Sequence, residues 1–207
     1  MTTQTILRQI SADIPSHVGN TGKIEMIVPH ISAILRILGL DLEEEGLRGT
    51  PLRVAKMFVR EAFSGLDPAQ KPDMTLFENS NGYKEMVTAK EITFFSYCEH
   101  HLVPFFGKAH VAYVPKHHLV GLSKLNRLVQ YLASKPQTQE RLTVEIGTEL
   151  GKALRTDDVA VVMEATHLCI ASRGVKDVNS LTRTSHFCGI FEVKEKKDEF
   201  LRQIESE

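Results

Sequence analysis

MVTAKEITFFSYCEHHLVPFFGKAHVAYVP, residues 86–115, decides the fold. Two runs rich in Val, Ile, Phe, Thr and Tyr flank CEHHLVP and are bounded by Pro104 and Pro115. Such residues fit a pleated, half-buried surface, and the prolines punctuate strand ends, so the stretch reads as a β-hairpin. Its seam holds Cys98, Glu99, His100 and His101, which hairpin packing does not require.

Downstream, GLSKLNRLVQYLAS (121–134) sets Leu122, Leu125, Leu128, Val129 and Leu132 on one helical face. After Pro136, TQERLTVEIGTELGKAL (138–154) does the same with Leu142, Ile146, Leu150 and Leu154. DVAVVMEATHLC (158–169) and SHFCGIFEVK (185–194) read as strands, and the charged tail from Lys194 as a helix. The order strand, strand, helix, helix, strand, strand predicts an α+β domain over residues 86–207, a four-stranded antiparallel sheet with two helices on one face.

Upstream, residues 23–85 read as a helical region and a connection. Ile24, Ile27, Val28, Ile31, Ile34, Leu35 and Leu38 predict a helix from about Ile24 to near Gly39, which places Pro29 in its first turns. GTPLRVAKMFVREAFSGLD (49–67) predicts a second, with Thr50 as cap, Pro51 at the first helical position and Gly65 as stop. The stretch 67–84 reads as irregular, and residues 1–22 as a mobile arm.

Lys plus Arg number 25 and Asp plus Glu 26, a net charge of -1, so no basic excess is available for nucleic acid or an anionic membrane. Any anion must be held by a local cluster. No run approaches the roughly 18 apolar residues of a membrane span, and the first residues lack a secretory pattern, so a cytoplasmic chain is expected. The three cysteines, Cys98, Cys169 and Cys188, are odd in number and far apart, a poor disulfide framework and a better fit to metal binding or catalysis.

Cys98 and His101 have C-x-x-H spacing, and a turn at a strand end can aim a thiolate and an imidazole at one ion. One such pair is weak evidence alone. In THLC, His167 and Cys169 are two apart on the expected strand and so project from one face. Cys98, His101 and Cys169 make three donors for zinc, leaving the fourth position for water, as in catalytic rather than structural sites. His100 and His167 neighbour these donors, where near-neutral imidazoles suit general acid and base work.

Other residues carry plainer readings beside functional ones. Cys188 reads as core packing, and His110, His117 and His118 as solvated strand or turn positions. LSKLNR opens a helix with Ser123, Lys124 and Arg127, a solvated face or an anion site; Arg173 and Arg53 are similarly ambiguous. Glu140, beside Gln139, is either a first-turn carboxylate or an acceptor for a guanidine-like N–H pair. HVGNTGKI (17–24) is no phosphate loop, because His17 and Ile24 break the pattern.

In order and spacing, CEHHLVPFFGKAHVAYVP, GLSKLNRLVQ, QTQERLT and EATHLCIASRGV closely resemble the type I GTP cyclohydrolase family, over about residues 24–200. The resemblance implies a tunnelling fold, a homodecamer of two pentamers with active sites between subunits, and one zinc ion per subunit. It implies conversion of GTP and water to 7,8-dihydroneopterin triphosphate and formate, the first step toward folate or tetrahydrobiopterin, through attack at C8 of guanine and an Amadori-type ribose rearrangement. Cys98, His101 and Cys169 match the zinc ligands; His100 and His167 match the catalytic histidines. Glu140 and Gln139 match the guanine-edge contacts, Lys124, Arg127, Arg173 and Arg53 the triphosphate contacts, and Ser123 lies near the ribose.

The resemblance gives no role to residues 1–22, Glu99, His186 or Cys188, and LTRTSHFCGIF is more polar than the family pattern. Two rivals stand beside this resemblance. One is another zinc enzyme of the pterin pathway with this fold, whose metal set tends to be three histidines. The other is a binding module with structural zinc, which a fourth protein ligand such as Cys188 would favour.

Overall fold

The structure is a computed structural model and describes residues 18–205, so most of the arm expected over residues 1–22 lies outside the described residues, while Asn20, Thr21 and Gly22 are helical rather than part of an arm. The chain divides into two compact units between Ala62 and Phe63. The N-terminal unit holds α1 (Asn20–Ile37), a single turn α2 (Glu45–Arg48) and α3 (Thr50–Met57), which runs on as a π-helical turn, Phe58–Ala62. Because α1 starts at Asn20 and not near Ile24, Pro29 sits mid-helix, where the Glu25 carbonyl loses its usual helical donor. The helix stops at Gly39, whose φ of 85° admits the left-handed exit that side chains resist. Thr50 is the first helical residue of α3 rather than its cap; Gly49 caps it and makes no side-chain bond.

The larger unit is built on the predicted hairpin. β2 (Val87–Cys98) and β3 (Pro104–Tyr113) pair antiparallel from Val87↔Tyr113 to Tyr97↔Pro104. The register shifts between Ala89 and Ile92, where Glu91 takes a left-handed φ of 62°. Within 67–84, β1 (Leu76–Glu78) pairs with β4 (His118–Val120), so this stretch is not wholly irregular. Then come α4 (Leu122–Ala133), the two-residue β5 (Pro136–Gln137), α5 (Gln139–Leu154) and β6 (Val159–His167). The turn α6 (Leu168–Ala171), β7 (Thr182–Phe187), a 3-10 turn at Gly189–Glu192 and α7 (Lys194–Glu205) complete the chain. The sheet order is β5-β2-β3-β6-β7, four antiparallel strands as expected plus β5, which joins β2 in parallel; the last strand lies at Thr182–Phe187 and not at 185–194, because Gly189, at a φ of 58°, turns the chain into a 3-10 helix.

Leu125, Leu128, Val129, Leu142, Ile146 and Leu150 pack with Ile92, Phe94, Phe105, Val111 and Val161 in one core on the helix side of the sheet. Leu122 is 69% exposed, because it opens α4 before the helix reaches the sheet. The other side is not bare: Ala112, Ala160 and Val162 meet Phe191 and Phe200 from the C-terminal turn and α7. With both sides covered, β3 is buried at every residue from Ala109 to Tyr113 and loses its alternation. His110 is therefore buried, not solvated; its Nδ1 accepts from the bulged Glu91 N–H at 3.4 Å.

Close approach of backbone requires glycine at 107 and 65. A Cβ on Gly107 would stand 1.8 Å from the Glu164 carbonyl on the neighbouring strand. One on Gly65 would lie 2.2 Å from the Tyr131 carbonyl, beside which the Gly65 N–H donates to Ser134 O at 2.7 Å.

Candidate active site

The hairpin tip is shaped by a tight backbone turn. Cys98 O accepts from the N–H of His101 at 3.3 Å and of Leu102 at 2.8 Å, while Cys98 N–H donates to Val103 O at 2.9 Å. Closing the turn puts Leu102 at a φ of 52°, rare for a branched side chain and costly by roughly 1 kcal/mol or more. This strain folds both histidines back over the thiol: His100 Nδ1 lies 3.6 Å and His101 Nδ1 3.9 Å from Cys98 Sγ.

Cys169 arrives from β6, but not on the strand. Pairing of β6 with β7 ends at Ala165↔Thr182 and with β3 at Phe105↔His167. Beyond those points no neighbour accepts the backbone, so residues from Leu168 close into the helical turn α6, with Ser172 N–H donating to Leu168 O at 2.9 Å. The expectation that His167 and Cys169 share a strand face therefore fails, although both still reach the same end of the sheet.

The donor atoms of Cys98, His101 and Cys169 all lie within 4.8 Å of one another. Zinc bonds of about 2.3 Å to sulfur and about 2.0 Å to nitrogen space tetrahedral ligand atoms about 3.5–3.8 Å apart, so the group fits a metal ion with slight closure. Electrostatics agree. Burial raises the Cys169 thiol pKa, the facing Cys98 thiol raises it further, and Arg173 only partly opposes them. A buried thiol whose ionisation is held back in this way is one that a divalent cation relieves.

His167 ends β6 beside this group. Its ring stacks on Phe105 with centroids 4.6 Å apart and planes 3° from parallel. Its Nε2 is 2.8 Å from Oε1 of Gln139. Gln139, 2% exposed at the start of α5, donates its amide N–H groups toward Met163 O (3.2 Å), Thr182 O (2.9 Å) and Thr184 Oγ1 (3.1 Å). Those carbonyls fix the amide orientation, leaving Oε1 as acceptor; His167 therefore carries its proton on Nε2 and keeps Nδ1 free to accept one. Burial lowers the His167 pKa and the nearby Glu140 carboxylate partly opposes this, which favours the neutral ring.

Glu140 is exposed in the first turn of α5, whose cap is Thr138, its Oγ1 accepting from Arg141 N–H at 3.3 Å. Ser123, Lys124 and Arg127 lie at the start of α4, and Arg173 in the exposed stretch after α6. Among the described residues, no ion pair involves Lys124, Arg127 or Arg173. Arg53 belongs to the N-terminal unit, where it donates to Gly46 O at 2.9 Å and Thr50 Oγ1 at 3.0 Å.

Cys188 is neither a core residue nor a member of the metal group. It is half-buried, with Sγ 3.1 Å from His186 Nε2. It follows Phe187, which pairs with Ala160, while the metal group gathers at the His167 end of β6, roughly 23 Å away along the strand. The fourth protein ligand that a structural zinc would want is absent among the described residues. The sequence reading missed the ties of Phe105, Gln139 and Arg141; only the strand register and the helix start bring them to the site.

The antiparallel sheet backed by two helices carries, at one end, a three-donor thiol and imidazole group that could hold a metal ion, with His167 beside it, an α+β architecture suited to an enzyme. Residues 27–205 match the family GTP cyclohydrolase I, and the chain belongs to that family. It is 53% identical over 182 residues to GTP cyclohydrolase 1 of Flavobacterium johnsoniae, covering 88% of this chain and 82% of that protein. It is 52% identical to GTP cyclohydrolase 1 of Actinobacillus pleuropneumoniae serotype 5b, covering 86% and 82%. With GTP cyclohydrolase 1 of an Enterobacter species (strain 638) identity is 47%, covering 89% and 84%. Among the described residues, no helix is long and apolar enough to cross a membrane.

Proposed function

We infer that this chain is a zinc-dependent GTP cyclohydrolase that converts GTP and water to 7,8-dihydroneopterin triphosphate and formate. The observation that carries the reading is the convergence, at one end of the sheet, of Cys98, His101 and Cys169 with a histidine held in one tautomer. When bound, zinc supplies Lewis acidity and makes water ionisable near neutral pH.

The chain's own residues do the rest. Nδ1 of His167 accepts and returns protons, its ring kept from rotating by Phe105 and Gln139. His100, on the exposed hairpin tip, serves as the second proton carrier. Glu140 accepts the paired N–H groups of guanine, a contact that adenine does not offer. Because the Gln139 side chain is buried and fully bonded, we assign it to orienting His167 rather than to touching guanine. Lys124, Arg127 and Arg173 hold the triphosphate, with Ser123 beside the ribose. The open edge of β7 supports assembly of copies into a ring, and a homodecamer is the form we propose.

Incubating metal-replete protein with GTP tests the reading. Formate and a pterin that fluoresces after oxidation are expected in equal amounts; absence of both overturns it. Glu140→Gln should raise KM for GTP and relax discrimination against adenine.

A further inference from the structure

Glu99 sits between one metal donor, Cys98, and the histidine pair, yet its side chain points away from them to Arg141 on α5. Among the described residues, this is the sole side-chain hydrogen bond by which residues 99–103 reach beyond the hairpin. Arg141 is anchored on its other side. Its Nε donates to Gln137 Oε1 at 2.7 Å and its Nη2 to Pro136 O at 3.1 Å. Gln137 is fully buried, with Nε2 donating to Leu132 O at 3.2 Å and Glu145 Oε2 at 2.8 Å, and its carbonyl accepts the Glu99 N–H at 3.0 Å.

An exposed ion pair by itself contributes little. Here the guanidinium is a planar fork with three acceptors on two separate pieces of chain, which gives direction as well as attraction. Arg141 also directly follows Gln139 and Glu140 in the first turn of α5.

We propose that the Glu99–Arg141 pair is a positioning strut that sets the spacing between the metal-bearing hairpin and the α5 turn that faces the substrate. The inference rests on the assignment of Glu140 to guanine. Guanine held on α5 must present its reacting carbon to the metal on the hairpin, and a displacement of about 1 Å can cost about 100-fold in rate. Neither Glu99 nor Arg141 touches substrate; the strut acts through Glu140 on one side and through Cys98 and His101 on the other.

The test is a double-mutant cycle with Glu99→Ala, Arg141→Met and the combined variant, reading kcat, KM for GTP, zinc content and melting temperature. Each single change should lower kcat about 10-fold or more, leave KM within about 3-fold and keep zinc stoichiometric. The double variant should be scarcely slower than either single one, because the strut is already broken. Glu99→Gln, which keeps an acceptor for Arg141, should recover part of the loss seen with Glu99→Ala. Multiplicative losses in kcat, or wild-type kcat in Glu99→Ala, would overturn the strut, as would zinc loss that accounts for the fall. If wild-type protein forms no formate, the function falls instead; if wild type turns over and the cycle shows no coupling, only the strut does.

Discussion

His167 donates from Nε2 to Oε1 of Gln139 at 2.8 Å, so a buried amide decides which nitrogen of the histidine is basic. Gln139→Leu removes that decision and leaves the Met163 and Thr182 carbonyls without their amide partner. We expect kcat to fall about 10- to 100-fold, with stability lowered by about 1–3 kcal/mol. Metal content should not change. Wild-type turnover in this variant would show that the tautomer is set elsewhere.

Metal and proton roles separate by substitution. Cys169→Ser should lose bound zinc and activity together, whereas His167→Ser should keep zinc and lose turnover. Metal analysis beside a formate assay on the same preparation reads both. Activity retained in either variant contradicts its assigned role.

Gly107 permits β3 and β6 to approach where a Cβ would meet the Glu164 carbonyl at 1.8 Å. Backbone cannot yield as a flexible side chain does, so Gly107→Ala should destabilise by about 3 kcal/mol. Denaturant unfolding measures it; a midpoint equal to wild type would mean that the strands can separate without cost.

Asp158 should contribute to acid stability. Burial pushes its carboxyl pKa up, but the Ile190 N–H at 2.9 Å, Lys116 at 3.1 Å and Thr156 outweigh it and hold the group below its ordinary value. A carboxylate depressed on folding stabilises the protein above its unfolded pKa of about 3.9, and that contribution is lost as pH falls through this value toward the folded one. Asp158→Asn should therefore cost about 1–3 kcal/mol at pH 7. The gap to wild type should narrow below about pH 4. Melting curves across this range check it, and a gap independent of pH would refute the assignment.

Much of this arrangement is legible in the sequence because it is local or repetitive. The hairpin follows from residue type and proline punctuation, and the helix pair from leucines at helical spacing. The three metal donors follow from a short motif at each of two strand ends. What was not legible depends on the neighbours a residue acquires. His110 reads as solvated until α7 covers the second side of the sheet, and Cys169 reads as a strand residue until the adjacent strands run out. Cys188 looks like core by type, but its place past the Phe187–Ala160 pair leaves it half-buried beside His186. Glu99 has no signal of its own; its partner is 42 positions away.

β3 is bonded on both edges, by β2 and β6, and covered on both sides from Ala109 to Tyr113. Its amides should thus be among the last to exchange with deuterated solvent, opening only when the whole unit opens. The same strand leads back to Pro104 and the exposed tip at residues 99–102. Exchange measured along this one hairpin should fall from fast to global over a few residues, and metal loading should move the boundary toward the tip.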